Sequence, residues 1–140
     1  MHLLDVNIVL AAQRREHAHH DRTAPWLLDL VNGDAAFGVP RPVFSGFLRI
    51  ATNSRSFAVP TTVADALAFV RSVRSSPAFA EVRPSAGHFD RFLGLVEEHA
   101  LRGNDVPDAY LAALAIETRS DWVSYDRGFD RFRGLRRIEP

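Results

Sequence analysis

Residues 103–126 read GNDVPDAYLAALAIETRSDWVSYD, and this stretch decides the fold. Pro107 to Glu117 has the composition of a strong helix, with proline near its start and a long run of good helix formers behind it. Trp122 to Tyr125 is a short apolar run of strand type, closed by Asp126. A long helix feeding a short apolar strand is the repeating unit of a parallel α/β sheet. On the helix, Asp108, Leu111, Ala112 and Ala115 fall at i, i+3, i+4 and i+7. Asp108 therefore shares a face with apolar residues, and a carboxylate aimed inward needs a partner.

The same alternation continues outward in both directions. Leu3–Val6 reads as a buried strand that runs into a helix start at Asn7–Ala12. After a polar stretch from Arg14 to Asp21, Trp26, Leu27, Leu30 and Val31 recur at helical spacing until Asn32-Gly33 stops them. Ala36–Val39 is a second strand. Pro40 and Pro42 open a helix through Ala51. Thr61 or Thr62 caps the next, whose face is Val63, Ala66, Leu67 and Val70. Phe79–Val82 reads as a third strand. A further helix carries Phe89, Phe92, Leu93 and Val96 and ends near Gly103, and Arg137-Ile138 forms a last edge strand. The expectation is one α/β domain over residues 1–140, with a central, mainly parallel sheet of four or five short strands and helices on both faces.

Composition removes several chemistries. The chain has no cysteine, which excludes disulfides, a thiol nucleophile and Cys-ligated metals. All 17 basic residues are arginine, so there is no lysine for Schiff-base or Walker-type phosphate chemistry. They balance 17 acids, so no global field draws the chain to nucleic acid, although a local patch still could. No signal-type segment opens the sequence and no run is long enough to span a membrane, which points to a cytoplasmic setting.

Open parallel sheets build their sites beyond the carboxyl ends of the strands. Asp5 closes the first strand, Asp126 closes the Trp122–Tyr125 strand, and Asp108 opens the late helix. Each has an ordinary alternative: Asp5 and Asp108 as helix caps or dipole partners, Asp126 as a turn residue before Arg127-Gly128. Three carboxylates brought together repel one another, and hard oxygen donors of this kind favour Mg²⁺ or Mn²⁺.

Four segments carry a resemblance: Leu4–Asn7, Phe47–Thr52, Gly103–Ala115 and Val123–Phe129. In their order and spacing they resemble the PIN-domain ribonucleases, and most closely the VapC toxins of VapBC toxin–antitoxin pairs. The resemblance runs from Leu3 to Pro140. It implies a compact α/β endoribonuclease using Mg²⁺, or Mn²⁺ in its place. Asp5, Asp108 and Asp126 match the metal-holding acids, and Asn7 and Ser124 match the polar positions that support them. It implies as partners a VapB-like antitoxin, an RNA substrate such as a tRNA or rRNA loop, and a second copy in a homodimer. One position departs. Where the family places a glutamate before the Leu-x-Arg segment, this chain has Gly46. Asp105 or Asp130 could compensate. Alternatively the fold serves as a module that binds RNA or a partner protein without cutting.

Other features weigh less. His17, His19, His20 and Asp21 have metal-like spacing, but in a polar loop. Arg131, Arg133, Arg136 and Arg137 could follow RNA phosphates or could simply solvate an edge strand. Trp26, Phe44, Phe47, Phe69 and Phe92 read as core. Haloacid-dehalogenase-like phosphatases and receiver domains also use strand-end aspartates, but both need a lysine, and the former also need an acid where Asn7 stands.

Overall fold

Leu3 and Leu4 are adjacent, point to opposite faces of their strand, and are both fully buried. The same holds for Trp122 and Val123. A sheet with buried residues on both faces is covered by helices on both sides, as parallel sheets are. The computed structural model describes all 140 residues, Met1–Pro140. The strands are β1 (His2–Leu4), β2 (Phe37–Gly38), β3 (Asp121–Val123) and β4 (Arg136–Ile138). They lie in the order β2-β1-β3-β4, all parallel, with Leu3 opposite Gly38 on one side and Trp122 on the other. The helices are α1 (Val6–Gln13), α2 (His20–Asn32), α3 (Arg41–Ala51), α4 (Val63–Arg74), α5 (His88–Glu98) and α6 (Val106–Glu117). None is long and apolar enough to cross a membrane.

From β1 the chain first crosses to β2 on one side, and later places β3 on the other. The carboxyl ends of β1 and β3 therefore flank a topological switch point, where open α/β sheets form crevices. Alanine governs how closely α6 approaches that point. Ala109, Ala112, Ala113 and Ala115 are fully buried, and their small side chains let the helix lie near β3. On its other side α6 packs against α5.

Most of the expected elements form, with displaced edges. Thr62 caps α4 by accepting from the Asp65 amide, and α2 stops at Gly33. However, α2 already begins at His20 and carries Pro25 inside it, rather than starting near Trp26. The first strand ends at Leu4, because Asp5 already caps α1. Likewise β3 ends at Val123, leaving Ser124 and Tyr125 beyond the strand. α5 ends at Glu98, short of Gly103, and Ala100 then takes a left-handed backbone. Phe79–Val82 is not a strand. It makes one bridge, Phe79 to Phe37, with bonds from the Ala80 amide to the Phe37 carbonyl and from the Phe37 amide to the Ala78 carbonyl. Pro77 and Pro84 flank the segment, and proline interrupts a ladder.

That partial strand depends on Gly38. A Cβ there would lie 2.7 Å from the Ala80 carbonyl oxygen and 3.1 Å from Leu3 Cδ2. Gly38→Ala is expected to destabilise the fold by about 2 kcal/mol, a typical overpacking loss. A urea midpoint unchanged from the parent would show that the 79–82 segment moves freely.

Candidate active site at the β1–β3 switch point

Asp5 is only 4% exposed. It is the N-cap of α1, and all its bonds come from residues that leave β1 and β3. Its Oδ1 accepts from the Val6 amide at 2.6 Å, and its Oδ2 accepts from Asn7 Nδ2 at 2.8 Å and from Ser124 Oγ at 2.6 Å. Asn7 also donates to Ser124 Oγ and accepts from the Tyr125 amide, while Ser124 Oγ accepts from the Asp126 amide. Asn7 and Ser124 thus tie the ends of the two strands together and fix the rotamer of Asp5. The capping role and the site position are compatible: one carboxylate does both.

Asp126 lies exposed on the far side of Ser124, its Oδ1 accepting from the Gly128 amide at 2.7 Å. Asp108, in the first turn of α6, is partly buried and accepts from Arg131 Nη2 at 3.0 Å. Burial pushes the Asp5 carboxyl up to about 6; bonds from Ser124 and Val6 oppose this, and the negative charges of Asp108 and Asp126 add to it. Burial also pushes Asp108 up to about 6, against the pull of Arg131 and helped by Asp126 and Asp105. Asp5 and Asp108 therefore both feel the negative charge of Asp126, and Asp5 also that of Asp108. No three carboxylate or imidazole groups anywhere in the chain already stand at the spacing of a closed metal site.

A groove of about 490 Å³ opens beside these acids, lined by Asp5, Asp108, Arg49 and Gly46, with apolar walls from α3, α5 and α6. A Cβ on Gly46 would meet only Val6 Cγ2, at 3.6 Å, so the missing side chain leaves space rather than a filled contact. Of the two acids able to compensate, Asp105 faces the site through Arg131, at 3.5 Å. Asp130 does not. It is exposed and bound to Arg137, whose hydrogen bond holds its carboxyl below the usual range.

The histidine cluster makes no metal centre. His20 Nδ1 bonds the Ala11 carbonyl oxygen, His19 stacks on Tyr125 at 4.1 Å, and His17 lies before α2 begins, so His17 and Asp21 never share a helical turn. Three of the four arginines in the C-terminal run are held in ion pairs, Arg137 with Asp130 and Glu139, Arg136 with Asp121, and Arg131 with Asp105 and Asp108, while Arg133 is exposed and pairs with no acid. The sequence reading offered Arg131 only as part of a phosphate-following run, not as a partner of Asp108, and gave Arg49 no role in the site. Arg131 reaches Asp108 across 23 residues of chain, a separation no periodicity encodes, and Arg49 enters the groove from α3 without bonding an acid.

An all-parallel α/β chain with an acidic crevice at its switch point falls in the class of small carboxylate-site α/β domains. The PIN-domain profile matches residues 2–135, and the chain belongs to the PIN-domain family. It is 41% identical over 140 residues to Ribonuclease VapC25 of Mycobacterium tuberculosis, covering 100% of this chain and 99% of that one. Among solved structures it is similar to VapBC2 of Rickettsia felis, bound to a DNA fragment from its promoter, with a TM-score of 0.72 and 17% identity over 99% of this chain and 97% of the other. It is also similar to VapC20 of M. tuberculosis, described as a sarcin-ricin loop cleaving toxin, with a TM-score of 0.70 and 14% identity over 97% and 99%.

Proposed function

We propose that this chain is a divalent-metal-dependent endoribonuclease of the VapC kind, the toxin of a toxin–antitoxin pair, forming one domain over residues 1–140. The observation that carries the reading is Asp5: a buried carboxylate held at the switch point by Asn7 and Ser124, with Asp108 and Asp126 close enough to disfavour its charge. A buried anion facing further anions calls for a cation. The donors are all hard carboxylate oxygens, which fits Mg²⁺, with Mn²⁺ as substitute. Asp5, Asp108 and Asp126 would hold it. When bound, such an ion polarises a phosphoryl oxygen and lowers the pKa of a coordinated water.

The residues around it have separate tasks. Asn7 and Ser124 orient Asp5. Arg49 lines the groove as a cation suited to an RNA phosphate. The apolar wall beside it suits an unstacked base better than a duplex, so the substrate is an exposed loop of tRNA or rRNA. The VapC20 description, a sarcin-ricin loop cleaving toxin, supports a loop substrate. A VapB-like antitoxin, a homodimeric assembly and action in the cytoplasm follow from the same family reading.

The test is cleavage of a mixed pool of structured RNAs in Mg²⁺, in Mn²⁺ and in EDTA. Cuts at a few defined sites that vanish in EDTA are expected. RNA bound equally well in EDTA and never cut would instead favour the binding-module reading, which the open space at Gly46 supports. Gly46→Glu, for which the structure has room, is expected to lower the metal concentration giving half-maximal cleavage roughly tenfold by adding a charged ligand. An unchanged metal response would mean that position 46 does not face the ion.

A further inference from the structure

Arg137 and Arg131 lie six residues apart and bind their acids in different ways. Arg137 makes a two-pronged bond, Nε at 2.7 Å and Nη2 at 3.3 Å from the two oxygens of Asp130. This is the geometry in which a guanidinium fork matches one carboxylate. Arg131 does not use it. It rises from the turn that follows Asp126 and reaches back to α6, where its two tips are divided between two acids. Nη2 is 3.0 Å from Asp108 Oδ2 and Nη1 is 3.5 Å from Asp105 Oδ2. Its Nε is buried without a partner, and its guanidinium lies 5.0 Å from the Phe132 ring. The pair is therefore far from an optimal structural ion pair, yet Arg131 is the one cation in contact with Asp108.

We infer that Arg131 is a resident counter-cation: it occupies Asp108 in the metal-free chain, competes with the divalent ion for that carboxylate, and once displaced is free to hold an RNA phosphate at the rim of the crevice. This rests on Asp108 being a metal ligand, as proposed above. The logic is electrostatic. Asp5, Asp105, Asp108 and Asp126 repel, and a single positive charge bridging two of them relieves part of that repulsion. A divalent ion relieves more, but it must share or take Asp108 from Arg131. A poorly seated guanidinium, with one donor unsatisfied, is easier to displace than a two-pronged one. Arg131 thereby sets the metal concentration at which the site loads.

The experiment titrates Mn²⁺ into the full-length protein without RNA, following free Mn²⁺ by electron paramagnetic resonance. It compares the parent with Arg131→Gln, Arg131→Ala and Arg131→Lys, and thermal melting confirms that each folds. Both side chains of the pair are partly exposed, which places the competition in the range of a screened ion pair. Arg131→Gln and Arg131→Ala are expected to bind Mn²⁺ about threefold tighter, with Arg131→Lys between them and the parent. In a second measurement, RNA binding at saturating metal should show a salt slope lower by about one in Arg131→Gln. Equal Mn²⁺ affinity in all variants would overturn the inference and leave Arg131 a structural pair. Weaker Mn²⁺ binding in Arg131→Gln would overturn it too, by showing that Arg131 holds Asp108 in its ligating position. A parent that binds no Mn²⁺ and cuts no RNA would instead remove the nuclease reading itself.

Discussion

Asp5→Asn is expected to reduce metal-dependent RNA cleavage by at least about a hundredfold, the scale of losing one centrally placed electrostatic group, and to make the protein more stable near neutral pH. The two effects share a cause. Asp5 is almost fully buried and its carboxyl is pushed up to about 6. Its folded value thus lies above the ordinary 3.8. Below the unfolded value both states hold the proton and the group contributes its full stability. Between about 4 and 6 the folded state retains a proton that the unfolded state releases, so stability falls as pH rises. Above about 6 the loss is complete. Integrated over the shift this is on the order of 3 kcal/mol. Asparagine carries no charge and keeps one oxygen to accept from Val6, but its Nδ2, standing where Oδ2 was, then faces both the Asn7 amide and Ser124 Oγ. We therefore expect a net gain of about 1–2 kcal/mol at pH 7.5 and none at pH 4. Melting curves at the two pH values check this. An Asn variant less stable at both would mean that the hydrogen bonds to Asp5 outweigh the burial of its charge. Saturating Mg²⁺ should narrow the difference, since a cation favours the ionised carboxylate.

The elements that periodicity reports were legible in the sequence. The apolar spacing along α6, the Thr62 cap, the Gly33 stop and the acid at each strand end all survive in the structure, because each is set by neighbours along the chain. What the sequence hid was set by partners far away in it. Phe79–Val82 has strand composition, but the prolines on either side and the close approach to Gly38 allow it a single bridge. Asp130 stands four residues after Asp126 and on an α-helix would share its face. The Arg127–Arg131 segment is a 3₁₀ turn, with three residues per turn, so Asp130 swings outward to Arg137. Arg131 then points back to Asp108 across 23 residues of sequence. The positions of the acids along the fold could be read because strand ends are a topological location. Their counter-charges were missed because a charge pair leaves no pattern in the chain.

Trp122→Ala is expected to cost about 4 kcal/mol, the usual range for deleting a large buried aromatic. Total stabilities commonly lie at about 5–15 kcal/mol, so this loss removes roughly a quarter to four fifths of the margin, and the variant should melt well below the parent. Trp122 is fully buried on β3, between β1 and β4, and its ring lies 5.2 Å from Phe129. The loss would reach the site as well, since β3 delivers Ser124 and Asp126. The informative companion is Trp122→Phe. The indole Nε1 is buried with no hydrogen-bond partner, a penalty of about 1–3 kcal/mol already present in the parent. Phenylalanine removes that donor together with part of the volume, so the two changes oppose one another. Trp122→Phe should cost under about 1 kcal/mol, far less than the alanine change. A cost near 3 kcal/mol or more would show that the indole N–H is satisfied by a buried water and that the polar end of Trp122, not only its bulk, holds the middle of the sheet.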